Sequence, residues 1–87
     1  MKKKETFIAR CVGGQHVLMP VGKTATKFSG LVMTNDVGAF IWEHLEEAQD
    51  ERALAALIAE EFEVSPEEAL EDTRGLTQSM RSAGWIE

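Results

Sequence analysis

Apolar residues in the first third of the chain come in short runs, and beyond it they recur every three or four positions. Phe7 to Val12 is one such run. Gly13-Gly14 follows, and Gln15 to Met19 resumes the pattern. Two runs joined by two glycines predict a tight hairpin, because glycine reaches the positive φ of such a turn at little cost. In that register Val12 opposes Gln15, and Cys11 opposes His16. Pro20 and Gly22 end the second strand, Val21 to Ser29 reads as a loop, and Gly30 to Thr34 reads as a third, short strand.

Near Asn35 the period changes to that of helices. Thr34 or Asn35 caps a first helix with Val37, Ile41 and Leu45 at i, i+4 and i+8, a face widened by Phe40 and Trp42. Asp50 caps a second, whose apolar stripe is Leu54, Leu57, Ile58 and Phe62. Ser65-Pro66-Glu67-Glu68 is the clearest local signal, with a cap residue, proline at the first helical position and glutamate at the third. This third helix runs to about Ala83, where Gly84 stops it. Its core stripe reads Ala69, Thr73, Leu76, Met80 and Ala83, and Trp85 with Ile86 packs back as a short extended tail. The expected fold is α+β: three N-terminal antiparallel strands followed by three helices. It is a small winged helix-turn-helix-like domain with its sheet placed first. Residues 1–87 form one domain, with residues 1–5 as a flexible, solvated terminus.

Length and composition narrow the function. A chain of 87 residues buries about 60–65% of its unfolded surface, which argues against a self-contained enzyme with a deep pocket. No apolar stretch is long enough to span a membrane, and the N-terminal lysines have no apolar segment behind them, so neither membrane insertion nor a signal peptide is expected. The single cysteine, Cys11, excludes an internal disulfide. A cytoplasmic protein is expected.

The net charge of −6 conceals a division. Residues 1–34 carry six bases and one acid, whereas residues 35–87 carry three bases and fourteen acids. The third helix holds Glu67, Glu68, Glu71 and Asp72 against Arg74 and Arg81. A recognition helix must bring cations to phosphates, so a winged-helix nucleic-acid-binding or transcription-regulating domain is the alternative that this charge disfavours.

Candidate chemistry is sparse. Cys11 and His16 form the one nucleophile–base pair, but no orienting group accompanies them. The two histidines and the cysteine lack zinc-type spacing, and Gly13-Gly14 opens no phosphate-cradling helix. No catalytic residue, metal or cofactor is therefore expected.

Peptide recognition by strand addition remains. A three-stranded sheet must expose an edge, and Leu31 to Met33 is short, apolar and free of charge and proline. The same open edge offers a route to a strand-exchanged homodimer. Along the third helix a second stripe runs through Leu70, Arg74, Thr77 and Arg81 at i, i+4, i+7 and i+11. It is either a solvated face or one wall of a peptide groove.

The chain resembles the pyrroloquinoline-quinone-biosynthesis protein D (PqqD) family, leader-peptide-binding domains of ribosomally made, modified peptides. The resemblance spans about residues 7–87. It rests on Gly30-Leu31-Val32-Met33-Thr34-Asn35 leading into Gly38-Ala39-Phe40-Ile41-Trp42, on Leu57-Ile58 through Phe62-Glu63-Val64-Ser65, and on Asp72, Leu76, Met80 and Gly84-Trp85-Ile86-Glu87. It implies a non-catalytic adaptor that binds the leader of a precursor peptide and presents it to a maturase, commonly a radical S-adenosylmethionine enzyme. The leader would pair with Leu31, Val32, Met33 and Thr34, with Leu70, Arg74, Thr77 and Arg81 opposite. Arg74 and Arg81 then call for acidic residues in the leader. Thr77 departs from the family, which usually carries an aliphatic residue there.

Overall fold

The computed structural model describes residues 1–87. Strands β1 (Phe7–Val12) and β2 (Gln15–Pro20) form the hairpin, with Cys11 opposite His16 and Val12 opposite Gln15. Gly13 and Gly14 turn it at φ values of 58° and 79°, which side chains with a Cβ rarely adopt. Strand β3 (Val32–Thr34) pairs antiparallel with β2, giving the order β1-β2-β3. It is shorter than the expected 30–34, because Gly30 takes a φ of 79° and turns the chain before pairing starts.

Two expectations are corrected at the N-terminal side. The segment expected to be a loop contains a short helix, α1 (Thr24–Lys27). Residues 1–5 are not a free tail. The buried Thr24 hydroxyl accepts from the Thr6 N–H at 2.7 Å and donates to Glu5 Oε1 at 2.8 Å, while Lys27 Nζ meets Glu5 Oε2 at 2.9 Å. On the other side Lys4 N–H donates to the Trp85 carbonyl at 2.7 Å, and Glu87 N–H to that of Lys2 at 3.0 Å. The two ends of the chain thus form a small ladder, with Lys3 bridged to Ile86.

The three main helices start where their caps predict. Asn35 opens α2 (Asp36–His44) by accepting from the Gly38 N–H at 2.8 Å. After a 3-10 turn at Leu45–Glu47, Asp50 opens α3 (Glu51–Phe62), and Ser65 opens α4 (Pro66–Ser82) with Pro66 in the first turn. Each cap satisfies one N–H that the helix itself leaves unpaired. Gly84, at φ 83°, ends α4 and lets the chain reverse into the Trp85–Ile86 tail.

The helices cover one face of the sheet. Phe7 and Leu18 point into a core of Ile41, Trp42, Leu45, Leu54, Ile58, Ala69 and Met80, closed by Ile86. Trp42 Nε1–H donates to the Phe7 carbonyl at 2.9 Å, which fastens α2 to β1. Phe7 also packs on Trp85 at 4.4 Å between ring centroids and edge-on to Trp42 at 5.5 Å, anchoring the tail beside the sheet. Ala83, expected in the core, is exposed, and Thr77 is buried instead.

Candidate functional site

β3 is an outer strand, paired on one side with β2 and open on the other. Its alternation directs Val32 and Thr34, both half-buried, toward the helices and leaves Met33 61% exposed on the outer face. Leu31, 55% exposed, lies just before the strand. The four exposed large apolar residues of the molecule, Ile8, Val12, Leu31 and Met33, all belong to the sheet region. Backbone N–H and C=O groups at an open edge of this kind are able to pair with an added strand.

Across from this edge stands α4. Between the two lies a cleft of about 160 Å³ whose lining includes Leu18, Val32, Leu76, Met80 and Trp85. That volume resembles a cavity of about 150 Å³ known to hold benzene, so it suits one large aliphatic or small aromatic side chain. Leu76 and Ser79 also line an adjoining, more polar hollow of about 540 Å³, together with Asn35, Glu71, Asp72 and Gly75. The cleft thus runs along α4 from an apolar end near Trp85 to an acidic end near Asn35. Glu71 and Asp72 are both exposed and take part in none of the molecule's ion pairs.

The expected helix-side residues are placed elsewhere. An α-helix turns about 100° per residue, so Asp72, Leu76, Ser79 and Met80 share the side of α4 toward β3, while Leu70, Arg74, Thr77 and Arg81 share another. Leu70 lines a hollow with Arg52, Ala55, Ala56 and Pro66, between α3 and α4. Thr77 is 1% exposed, and its hydroxyl donates to the carbonyls of Thr73 at 2.9 Å and Arg74 at 3.3 Å. Arg81 reaches away from β3, its Nε donating to the Glu87 carbonyl at 3.1 Å and its guanidinium lying 3.4 Å from Glu51. Arg74 is exposed and forms no ion pair with Glu71. The structure therefore does not set this stripe opposite Leu31–Thr34.

The physical reason is that α4 buries Thr73 and Thr77 together with Ala69 and Met80. Thr73, fully buried, returns its hydroxyl to the Ala69 carbonyl at 2.7 Å, as Thr77 does to Thr73. A hydroxyl satisfied inside its own helix is cheap to bury, so these positions behave as small apolar ones. The residues that do face β3 carried a signal in the chain itself: Asp72, Leu76 and Met80 at i, i+4 and i+8. Gly75 and Ser79 carried none, and Asn35 was legible as a helix cap and within the family block but not as a neighbour of α4, because that meeting comes from the way α4 packs beside the start of α2.

Elsewhere, no three metal-ligating side chains cluster. Cys11 is exposed and His16 half-buried on the hairpin, and no helix is long and apolar enough to cross a membrane.

The family model for coenzyme PQQ synthesis protein D matches residues 15–86. The solved structure of TbiB1 in complex with the TbiA(beta) leader peptide superposes with a TM-score of 0.68 at 20% identity, over 100% of this chain and 95% of that one. At that identity the likeness establishes the fold. No curated protein matches the chain. The matched span takes in two strands of the sheet, all four helices and both walls of the cleft. The chain belongs to the PqqD family.

Proposed function

We propose that this domain is a non-catalytic adaptor that binds the leader of a ribosomally made precursor peptide and presents it to the enzyme that modifies it. The observation that carries the reading is the free edge of β3 facing α4 across an open cleft, in a chain of the PqqD family. TbiB1, which shares the fold, has been solved with a leader peptide.

In this reading the leader adds a strand beside Leu31, Val32, Met33 and Thr34. Main-chain bonds supply register, and inward side chains enter the cleft against Leu76, Ser79 and Met80. Asp72, Leu76, Ser79 and Met80 replace Leu70, Arg74, Thr77 and Arg81 as the helix-side contacts. The adaptor performs no chemistry of its own. It raises the local concentration of the reacting segment at a maturase of the radical S-adenosylmethionine type in the cytoplasm. The cytoplasmic setting and the class of maturase rest on the family resemblance.

Ser79→Trp tests the site. Ser79 is exposed on α4, where tryptophan costs the helix a few tenths of a kcal/mol, so the fold should survive. The indole would fill the cleft. Calorimetric titration with a leader peptide that binds the wild-type protein should show an affinity loss of about tenfold or more, as expected of a blocked central pocket. Unchanged affinity with an intact fold would remove the cleft from the account.

A further inference from the structure

The two ends of the cleft differ in chemistry, and the difference specifies what should occupy it. At the acidic end Glu71 and Asp72 have no basic partner, and no base lines either hollow. Their position does not serve the helix dipole, whose influence fades within the first turn. Glu67 and Glu68 already occupy that turn.

Gly75 is the second, independent observation. It lies in the interior of α4, where glycine is unfavourable relative to alanine. A Cβ built on Gly75 would meet nothing within 4 Å, so no packing demand inside the domain calls for glycine. Gly75 lines the polar hollow beside Glu71, Asp72 and Ser79. The bare backbone is a notch in the cleft wall, leaving space for a side chain arriving from outside.

Resting on the reading above, we propose that the occupant is an extended peptide segment that carries an apolar anchor and a Lys or Arg about four residues apart on the same face. The apolar side chain fills the pocket of Leu18, Val32, Met80 and Trp85. The basic side chain lies over Gly75 and brings its cation to Glu71 and Asp72. The spacing follows from geometry. Asp72 and Met80 are eight residues apart along α4, about 12 Å at 1.5 Å per residue. A strand covers that distance in about four residues at roughly 3.3 Å each, and an even number keeps both side chains on one face. The sign of the charge is opposite to what Arg74 and Arg81 suggest, because neither arginine lines the cleft.

A displayed library of twelve-residue segments, selected on the immobilised protein, tests this. Only binders lost on Ser79→Trp count as cleft binders. These should be enriched in Lys or Arg four positions from a large apolar residue. For a resynthesised binder, changing that base to Glu should weaken binding about tenfold at low salt, the upper range for two exposed ion pairs, and less at high salt. The Glu71→Lys, Asp72→Lys double variant should then prefer the acidic peptide. Gly75→Ala should raise the melting temperature yet weaken the basic peptide, a combination that a purely structural glycine would not produce. Cleft binders without charge preference, or with an acidic one, would overturn this inference and leave the adaptor reading standing. Selection that yields no cleft binder would count against both.

Discussion

Thr73 and Thr77 are fully buried, and each returns its hydroxyl to the carbonyl four residues earlier. That carbonyl also accepts the helix's own N–H, so the hydroxyl bond is additional and not required. Thr77→Val should therefore keep or raise stability, by up to about 1 kcal/mol, and leave peptide affinity unchanged. A thermal melt and one titration check it. A marked loss of affinity would put Thr77 back into the binding surface. Glu5 works differently. The Lys27 ammonium, and then the Thr24 hydroxyl, hold its carboxyl below its ordinary value. A depressed folded-state pKa stabilises the fold above the unfolded value, and the effect drains as pH falls through the folded one. The difference in melting temperature between the wild type and Glu5→Gln should be full at neutral pH and shrink from about pH 5 downward. A difference that grows on acidification would contradict the assignment.

At the scale of elements, the joint between β3 and α2 depends on Gly38. A Cβ there would collide with Thr34 Oγ1, and the Asn35 cap oxygen is only 3.3 Å from the same point. Alanine is the better helix former, but the clash falls on the edge strand and the cap together. Gly38→Ala should cost about 1–3 kcal/mol, the usual penalty of overpacking, measured by denaturant unfolding. A stabilised Gly38→Ala would show that Thr34 moves aside freely. The elements that were legible in the chain are those with local causes. The glycine hairpin, the caps at Asn35, Asp50 and Ser65, and the stop at Gly84 all act within four residues. Those that were not legible depend on distant partners. Helix α1 is held by Glu5 and Thr6, and residues 2–4 by Trp85 and Glu87. The face of α4 turned to β3 was not legible because Leu76 and Met80 read as core positions, and the burial of Thr77 depends on how α4 packs in the folded domain. Leu31 to Thr34 was legible as an edge because it is short, apolar and uncharged.

Across the whole molecule, the division of charge separates two folds that look alike. A winged helix that reads nucleic acid needs a cationic helix. Here α4 carries Glu67, Glu68, Glu71 and Asp72, and its two arginines point away from the cleft. Acids beside an open strand edge repel a phosphate backbone, yet they suit a peptide. The molecule is small, and its largest hollow is an open one along α4, continuous with the cleft at β3, a shape that suits an extended chain. Leader binding in this domain rests on one event, the addition of a strand at β3 against α4. The most direct measurement is the amide chemical-shift change of the labelled protein during titration with a leader peptide that it binds. Strand addition at β3 should shift Leu31 to Thr34 and Asp72, Leu76 and Ser79, with Ile8 to Val12, Leu70 and Arg81 unmoved. Shifts gathered on β1 or on the α3 side of α4, or no shifts at all, would contradict it.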